Sequence, residues 1–232
     1  MQALFDHLQQ VRPRARPWIV GVTGAVASGK STLADQLVEA IQAWPGAPSV
    51  VQFSTDGFLY SNAELTRRGA LARKGYPETY DQAGLWAALA DLRKGSATIP
   101  VHSHNTYDID PLLARVLAPT EVVIAEGLGF GGPANPAPVD YLIYLDANEA
   151  DLETWYVDRF LGFCRAARTD PASFYARFAH LDEAGVCEVA KMVWHTVNLP
   201  NLREHISPLC AEANVVVRKS ADHQIERLQI QP

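Results

Sequence analysis

The sequence predicts an α/β fold, with a mainly parallel central sheet covered by helices on both faces. Three observations lead there. Short apolar runs at 18–23, 121–125 and 141–145 read as strands buried on both sides, the pattern of parallel sheets. They alternate with segments whose apolar residues recur at helical spacing, such as Leu33, Leu37 and Ile41, or Leu85, Leu89 and Leu92. Acidic residues stand at or just beyond the ends of several strands, the edge at which such sheets bind ligands.

In chain order, residues 4–11 form a short helix, followed by the breaker-rich connector Arg12-Pro13-Arg14-Ala15-Arg16-Pro17. The first strand covers 18–23. A helix over 31–44 carries Leu33, Leu37, Ile41 and Trp44 on one side and stops at Pro45-Gly46. A strand over 49–54 ends at Thr55-Asp56-Gly57-Phe58, and a short polar helix and basic loop occupy 61–74. A helix over 81–94 rests on Leu85, Leu89 and Leu92, and 98–107 is extended. The strand 121–125 closes with Glu126-Gly127, followed by a Gly- and Pro-rich loop over 129–138. The strand 141–145 ends at Asp146, which reads as a helix cap for 152–165. A polar break at 166–174 precedes a largely helical 175–196, in one piece or two. Residues 202–211 are irregular around Pro208, 214–217 is a late strand, and 225–230 is an edge strand or hairpin partner. With no repeat, low-complexity tract or long linker, the expectation is a single domain over 1–232.

Composition narrows the partners. Apolar content of 48% and charged content of 20% suit a globular chain. No apolar run approaches the ~20 residues that cross a bilayer, so no membrane partner is expected. A net charge of −6 gives no electrostatic reason to bind nucleic acid. The start Met1-Gln2-Ala3-Leu4-Phe5-Asp6 lacks a signal-peptide layout. Cys164, Cys187 and Cys210 are odd in number and form no C-x-x-C pair. A cytoplasmic protein with reduced thiols is the expectation.

Between the first strand and its helix lies Gly24-Ala25-Val26-Ala27-Ser28-Gly29-Lys30-Ser31-Thr32. This is a complete phosphate-binding loop in its required strand–loop–helix setting. Gly24 permits the sharp turn, and Gly29 lets the backbone approach phosphate oxygens. Lys30 offers an ammonium to the β/γ-phosphates and Ser31 a hydroxyl to Mg²⁺. The fold class sharpens to a P-loop NTPase, a three-layer α/β/α sandwich, and the cofactors expected are ATP and Mg²⁺.

Two strand-end acids complete the candidate chemistry. Asp56 either orients and deprotonates an acceptor hydroxyl or is a turn residue before Gly57. Glu126 either attends the Mg²⁺ or is a loop or helix-capping carboxylate. The segment 155–168 carries Arg159, Arg165 and Arg168. It reads as a helical lid that closes over the nucleotide, or as a solvated arginine face. His102 and His104 at i, i+2 suggest a metal pair, yet no third ligand accompanies them.

A resemblance then enters on longer stretches. They are Thr55-Asp56-Gly57-Phe58-Leu59, Lys74-Gly75-Tyr76-Pro77-Glu78-Thr79-Tyr80-Asp81, Val101-His102-Ser103-His104-Asn105-Thr106-Tyr107-Asp108 and Glu126-Gly127-Leu128. They continue with Trp155-Tyr156-Val157-Asp158-Arg159-Phe160-Leu161, Thr169-Asp170-Pro171-Ala172-Ser173-Phe174-Tyr175, Val197-Asn198-Leu199-Pro200-Asn201-Leu202 and Lys219-Ser220-Ala221-Asp222-His223. Over about 17–230 the chain resembles the bacterial type I pantothenate kinases, within the phosphoribulokinase/uridine kinase group of P-loop kinases. The resemblance implies transfer of the ATP γ-phosphoryl group to a hydroxyl of a small-molecule acceptor, pantothenate first among them. It makes Asp56 the base, with Lys30 and Arg159 the other catalytic groups. It puts His104, Tyr107, Tyr156, Arg159, Phe160 and Asn198 on the acceptor side, within lid and acceptor segments at about 150–205, and His223 on adenine. A homodimer is implied by the resemblance alone.

The chain departs from that group in a short N-terminus, a compressed loop after Gly127, and the absence of arginine from Ser207-Pro208-Leu209-Cys210-Ala211-Glu212. These leave open an acceptor that is a nucleoside, sugar or glycerate-like acid. A switch or motor is disfavoured, because Asn-Lys-x-Asp and Leu-Ser-Gly-Gly sequences are missing. A non-catalytic nucleotide-binding regulator is the remaining class.

Overall fold

The computed structural model describes residues 1–13, 17–130 and 139–231. Arg14 and Arg16 of the predicted connector, and most of the predicted 129–138 loop, lie outside the described residues.

The main sheet has six strands: β1 (Trp18–Gly24), β2 (Val50–Ser54), β5 (Val122–Glu126), β6 (Tyr141–Asp146), β7 (Val215–Lys219) and β8 (Ile225–Ile230). Their order is β2-β5-β1-β6-β7-β8. All neighbours are parallel except β8, which pairs antiparallel with β7. Strand side chains alternate between faces, and here both faces are covered. Ile19, Phe53, Val123, Ala125, Leu142 and Tyr144 enter one core, while Trp18, Val20, Val22, Ile124 and Ile143 enter another.

Helices supply the outer layers. Leu4 and Leu8 of α1 (Gln2–Val11), with Leu33, Leu37 and Ile41 of α2 (Lys30–Gln42), cover the second face. After the short α3 (Asn62–Arg67), α4 (Gln82–Lys94) puts Leu85, Leu89 and Leu92 on the first. Leu152 and Trp155 of α5 (Glu149–Ala167) join that face, with Trp194, Leu202 and Ile206. The result is the three-layer α/β/α sandwich expected. Each fully buried aliphatic side chain contributes about 1.5–3 kcal/mol, so the strand alternation itself selects this layering. Among the described residues no helix is long and apolar enough to cross a membrane.

Three stretches differ from expectation. The extended segment at 98–107 is half of a hairpin, β3 (Ala97–Ser103) with β4 (Asp108–Leu117), forming a second, two-stranded antiparallel sheet. Its register shifts between Ile99 and Val101, at Pro100, where a residue without an N–H is tolerated. Much of β4 is exposed, so burial wrote no alternation into it. The second difference follows α6 (Glu183–Val193), which Asp182 caps by accepting from the Gly185 N–H at 2.8 Å. Beyond it, Trp194–Asn198 and Leu202–Ile206 are π-helical and Ser207–Ala211 is a 3₁₀ turn. Residues 202–211 read as irregular around Pro208, yet the chain keeps coiling, with Pro200 and Pro208 each in the opening positions of a helical turn, where a missing N–H is tolerated. Third, Asp146 does not cap α5; Asn148 holds that position, and Asp146 accepts from Arg218 Nη1 at 2.6 Å.

The hairpin fixes the turn that carries Asp56. That turn is a 3₁₀ helix, Thr55–Phe58, whose Asp56 N–H donates to Ser54 Oγ at 3.3 Å. Gly57 lies so close to β3 that a Cβ there would stand 1.9 Å from the Pro100 carbonyl oxygen. Gly57→Ala is therefore expected to destabilise the protein by about 1–3 kcal/mol, read as a lower denaturation midpoint at unchanged m-value. An unaltered midpoint would show that the hairpin does not pin this turn.

Candidate active site

Strand register gathers the candidate groups at one sheet edge. Glu126 at the end of β5 lies between Val22 of β1 and Ser54 of β2. Asp56 follows Ser54 by two residues, and β1 runs directly into the phosphate loop. Gly29, left-handed at φ 89°, caps α2, whose first turn has no acid and no capping side chain. The N–H groups there are thus available to an anion.

Lys30 Nζ donates to the carbonyls of Gly24 at 3.2 Å and Ala25 at 2.8 Å. Burial lowers its pKa, against the opposing pull of the Glu126 and Asp56 carboxylates, while Arg159 adds to the lowering. Ser31 Oγ donates to Glu126 Oε1 at 3.2 Å. Burial raises the Glu126 carboxyl above its usual range, with Lys30 opposing and Asp56 reinforcing. These are coupled groups crowded into a low-dielectric corner.

Asp56 is the hub of the other half. Tyr80 Oη donates to its Oδ1 at 2.9 Å, and burial, then this carboxylate, holds the Tyr80 hydroxyl protonated. Lys74 Nζ donates to Asn62 Oδ1 at 2.8 Å and the Tyr107 carbonyl at 2.6 Å, and stands 4.3 Å from the Tyr107 ring centroid. Its pKa falls to about 8, chiefly through burial, with Asp108 and Asp56 resisting.

Beyond Asp56 stands an aromatic wall. Tyr107 lies 4.4 Å from Phe174, and His104 stacks on Phe163 at 5.9 Å. Phe160 and Phe163 both pack on Tyr175, and Tyr156 packs on Phe160. Arg159 sits 5.3 Å over the Phe163 ring. Asn198, on a π-helical turn, has its buried Nδ2 without a hydrogen-bond partner among the described residues. Among the described residues neither ring nitrogen of His102 has a partner, and burial and then the Lys74 charge push its pKa down to about 4. At the opposite end, His223 stacks on Trp155 at 4.1 Å with the planes 25° apart.

These groups line one cavity of about 820 Å³. Of the predicted residues, Val26, Ala27, Gly29, Lys30, Ser31, Thr32, Asp56, His104, Glu126, Tyr107, Tyr156, Arg159, Phe160, Asn198 and His223 face it, while Gly24, Ala25 and Ser28 lie behind the loop surface. Arg165 instead pairs with Glu183 at 2.7 Å on an exposed face, so of the three arginines Arg159 lines the cavity. Among the described residues there is no cluster of three potential metal-binding His, Cys, Asp or Glu side chains, which leaves His102 and His104 without the third ligand a metal needs. Lys74, Phe163, Tyr175 and Lys219 also face the cavity and were not singled out as site residues from sequence; His102, read there only as half of a metal pair, faces it too. Lys74, His102, Tyr175 and Lys219 sit inside the stretches that carry the resemblance, which was the signal available for them.

The family model described as "Phosphoribulokinase / Uridine kinase family" matches residues 19–155. A pantothenate kinase from Mycolicibacterium gilvum is 41% identical over 242 aligned positions, covering 99% of this chain and 78% of the relative. One from Sorangium cellulosum is 42% identical, covering 93% and 73%. Among solved structures, a candidate fructose transport system kinase from Silicibacter sp. TM1040 aligns with TM-score 0.69 at 27% identity, over 87% of this chain and 91% of that one. A D-glycerate 3-kinase from Cryptococcus neoformans shares the fold, with TM-score 0.61 at 13% identity over 99% and 96%. By the family match over more than half its length, and by these identities, the chain belongs to the phosphoribulokinase/uridine kinase family of kinases, in the branch that holds the bacterial pantothenate kinases.

Proposed function

We propose that this chain phosphorylates pantothenate at its primary hydroxyl with the γ-phosphoryl group of ATP. The reading is carried by Asp56, a carboxylate held by Tyr80 in a cavity lined by both the phosphate loop and an aromatic wall. Identities of 41% and 42% to pantothenate kinases support the choice of acceptor. They disfavour a nucleoside, sugar or glycerate-like alternative.

The chemistry follows from the arrangement. The phosphate loop and Lys30 hold the ATP polyphosphate. Asp56 accepts the hydroxyl proton as the acceptor oxygen attacks in line, and the Tyr80 hydrogen bond keeps the carboxylate aimed. Arg159 offsets charge on the transferring group. The ring faces of Tyr107, Tyr156 and Phe160 suit the acceptor's gem-dimethyl group, and His104 and Asn198 suit its amide and hydroxyl groups. His223 stacks on adenine. The Ser31 hydroxyl and Glu126 form an all-oxygen pair that would hold Mg²⁺, which would supply positive charge to offset that of the phosphates. The lid and acceptor segments at about 150–205 belong to one kinase domain over 1–232, cytoplasmic and homodimeric, and close the site against water.

Three outcomes test this. In a Mg-ATP assay, pantothenate should release ADP at least tenfold faster than uridine, ribulose 5-phosphate, fructose or glycerate. A different preferred acceptor refutes the substrate, and ATP binding without turnover on any acceptor favours a regulator. Asp56→Asn should keep ATP affinity while kcat falls about 10²–10⁴-fold; an unchanged kcat removes Asp56 from proton transfer. Lys30→Ala should weaken ATP binding and transfer together, and unaltered kinetics would contradict its place on the phosphates.

A further inference from the structure

A second ammonium touches the phosphate loop, at a different carbonyl from those that the chain's own loop lysine bonds. Lys219 ends β7 at the same sheet edge, one residue past the Asp146–Arg218 register pair. Its side chain is only 9% exposed. Nζ donates to the Ser28 carbonyl at 2.9 Å, the one hydrogen bond this three-donor group makes among the described residues. A Cβ on Gly29 would lie 2.7 Å from that nitrogen, so the ammonium packs directly against the loop backbone. No carboxylate pairs with Lys219 among the described residues, and burial alone lowers its pKa. Lys219 nevertheless lines the cavity, together with Lys30 and His223. Burying an unpaired ammonium costs free energy that the fold recovers only when an anion arrives.

We propose that Lys219 is a second polyphosphate-binding cation of this site, an assignment that rests on the nucleotide reading above. Its position fits the phosphates nearer the base. His223, four residues on, stacks with Trp155 at the proposed adenine end, and Lys30 holds the loop's own carbonyls at the other. The ligand class is a nucleoside di- or triphosphate. The bond to Ser28 gives Lys219 a further effect, since it braces the loop backbone whose N–H groups meet the same phosphates.

The test is calorimetric titration of the intact protein with ATP, ADP, AMP and adenosine. Lys219→Met should weaken ATP and ADP binding at least tenfold, AMP less, and adenosine not at all, while KM for pantothenate stays put. Lys219→Arg should restore most of the loss. A merely structural role would weaken all four ligands alike, and that result, or ATP affinity within twofold of wild type, overturns the assignment. Wild-type protein that binds no ATP would instead sink the nucleotide reading itself. Should Lys219→Met fail to fold, acetic anhydride labelling of the wild type gives the answer by peptide mass spectrometry. ADP should protect Lys219 and adenosine should not; equal labelling in both refutes the proposal.

Discussion

Lys30 shares its field with two carboxylates, Glu126 and Asp56, in a half-buried corner of the sheet edge. Opposite charges in such a place attract more strongly than in solvent, but each pays a desolvation cost that the others only partly return. The directions of titration express that balance: burial pulls Lys30 down and pushes Glu126 up. A polyphosphate entering this corner adds negative charge beside Lys30 and so favours its ammonium form. Much of the molecule serves to keep these groups at that spacing.

Register does most of the keeping. Because Glu126 is paired with both Val22 and Ser54, a one-residue slip of β5 would turn its carboxylate to the opposite face. Burial of Val122, Val123, Ile124 and Ala125 on alternating faces makes that slip costly. The Asp56 turn is fixed separately, by close approach of Gly57 to the hairpin strand and by Tyr80 from the loop preceding α4. An isolated antiparallel bridge joins Leu59 to Tyr80, so the residue that aims the carboxylate is itself tied to the turn.

What the sequence made legible was local. The phosphate loop is contiguous, the helices around Leu33 and Leu85 carry their own periodicity, and Asp56 and Glu126 announce themselves by ending strands. The features that escaped depend on partners far along the chain. β4 exposes Leu112 and Val116, so no buried face marks it as a strand. The π-helical turns at 194–198 and 202–206 rest on Trp194, Leu202 and Ile206 reaching the core, a packing that the irregular reading around Pro208 did not foresee. Asp146 had the spacing of a helix cap, but Arg218, 72 positions away, claims it. Lys219 reads as the polar end of a strand until Ser28, 191 positions earlier, is brought against it.

The cavity joins two chemically different halves, and Asp56 stands where they meet. On one side are backbone N–H groups and ammonium groups, which suit a polyanion; on the other are Tyr107, Tyr156, Phe160, Phe163 and Tyr175, which suit an apolar body with a few polar atoms. Among the described residues, the aromatic half carries unsatisfied polar groups in His102 and in Asn198 Nδ2. An unpaired buried polar atom favours a ligand that completes its hydrogen bond and penalises one that does not. Lys74 on that side gives two of its three donors to Asn62 and the Tyr107 carbonyl. Lys74 Nζ and Asn62 Nδ2 both donate to the Tyr107 carbonyl, at 2.6 and 2.9 Å, and so hold the Tyr107 backbone at φ 55°, a conformation that a non-glycine residue holds only when its surroundings over-determine it.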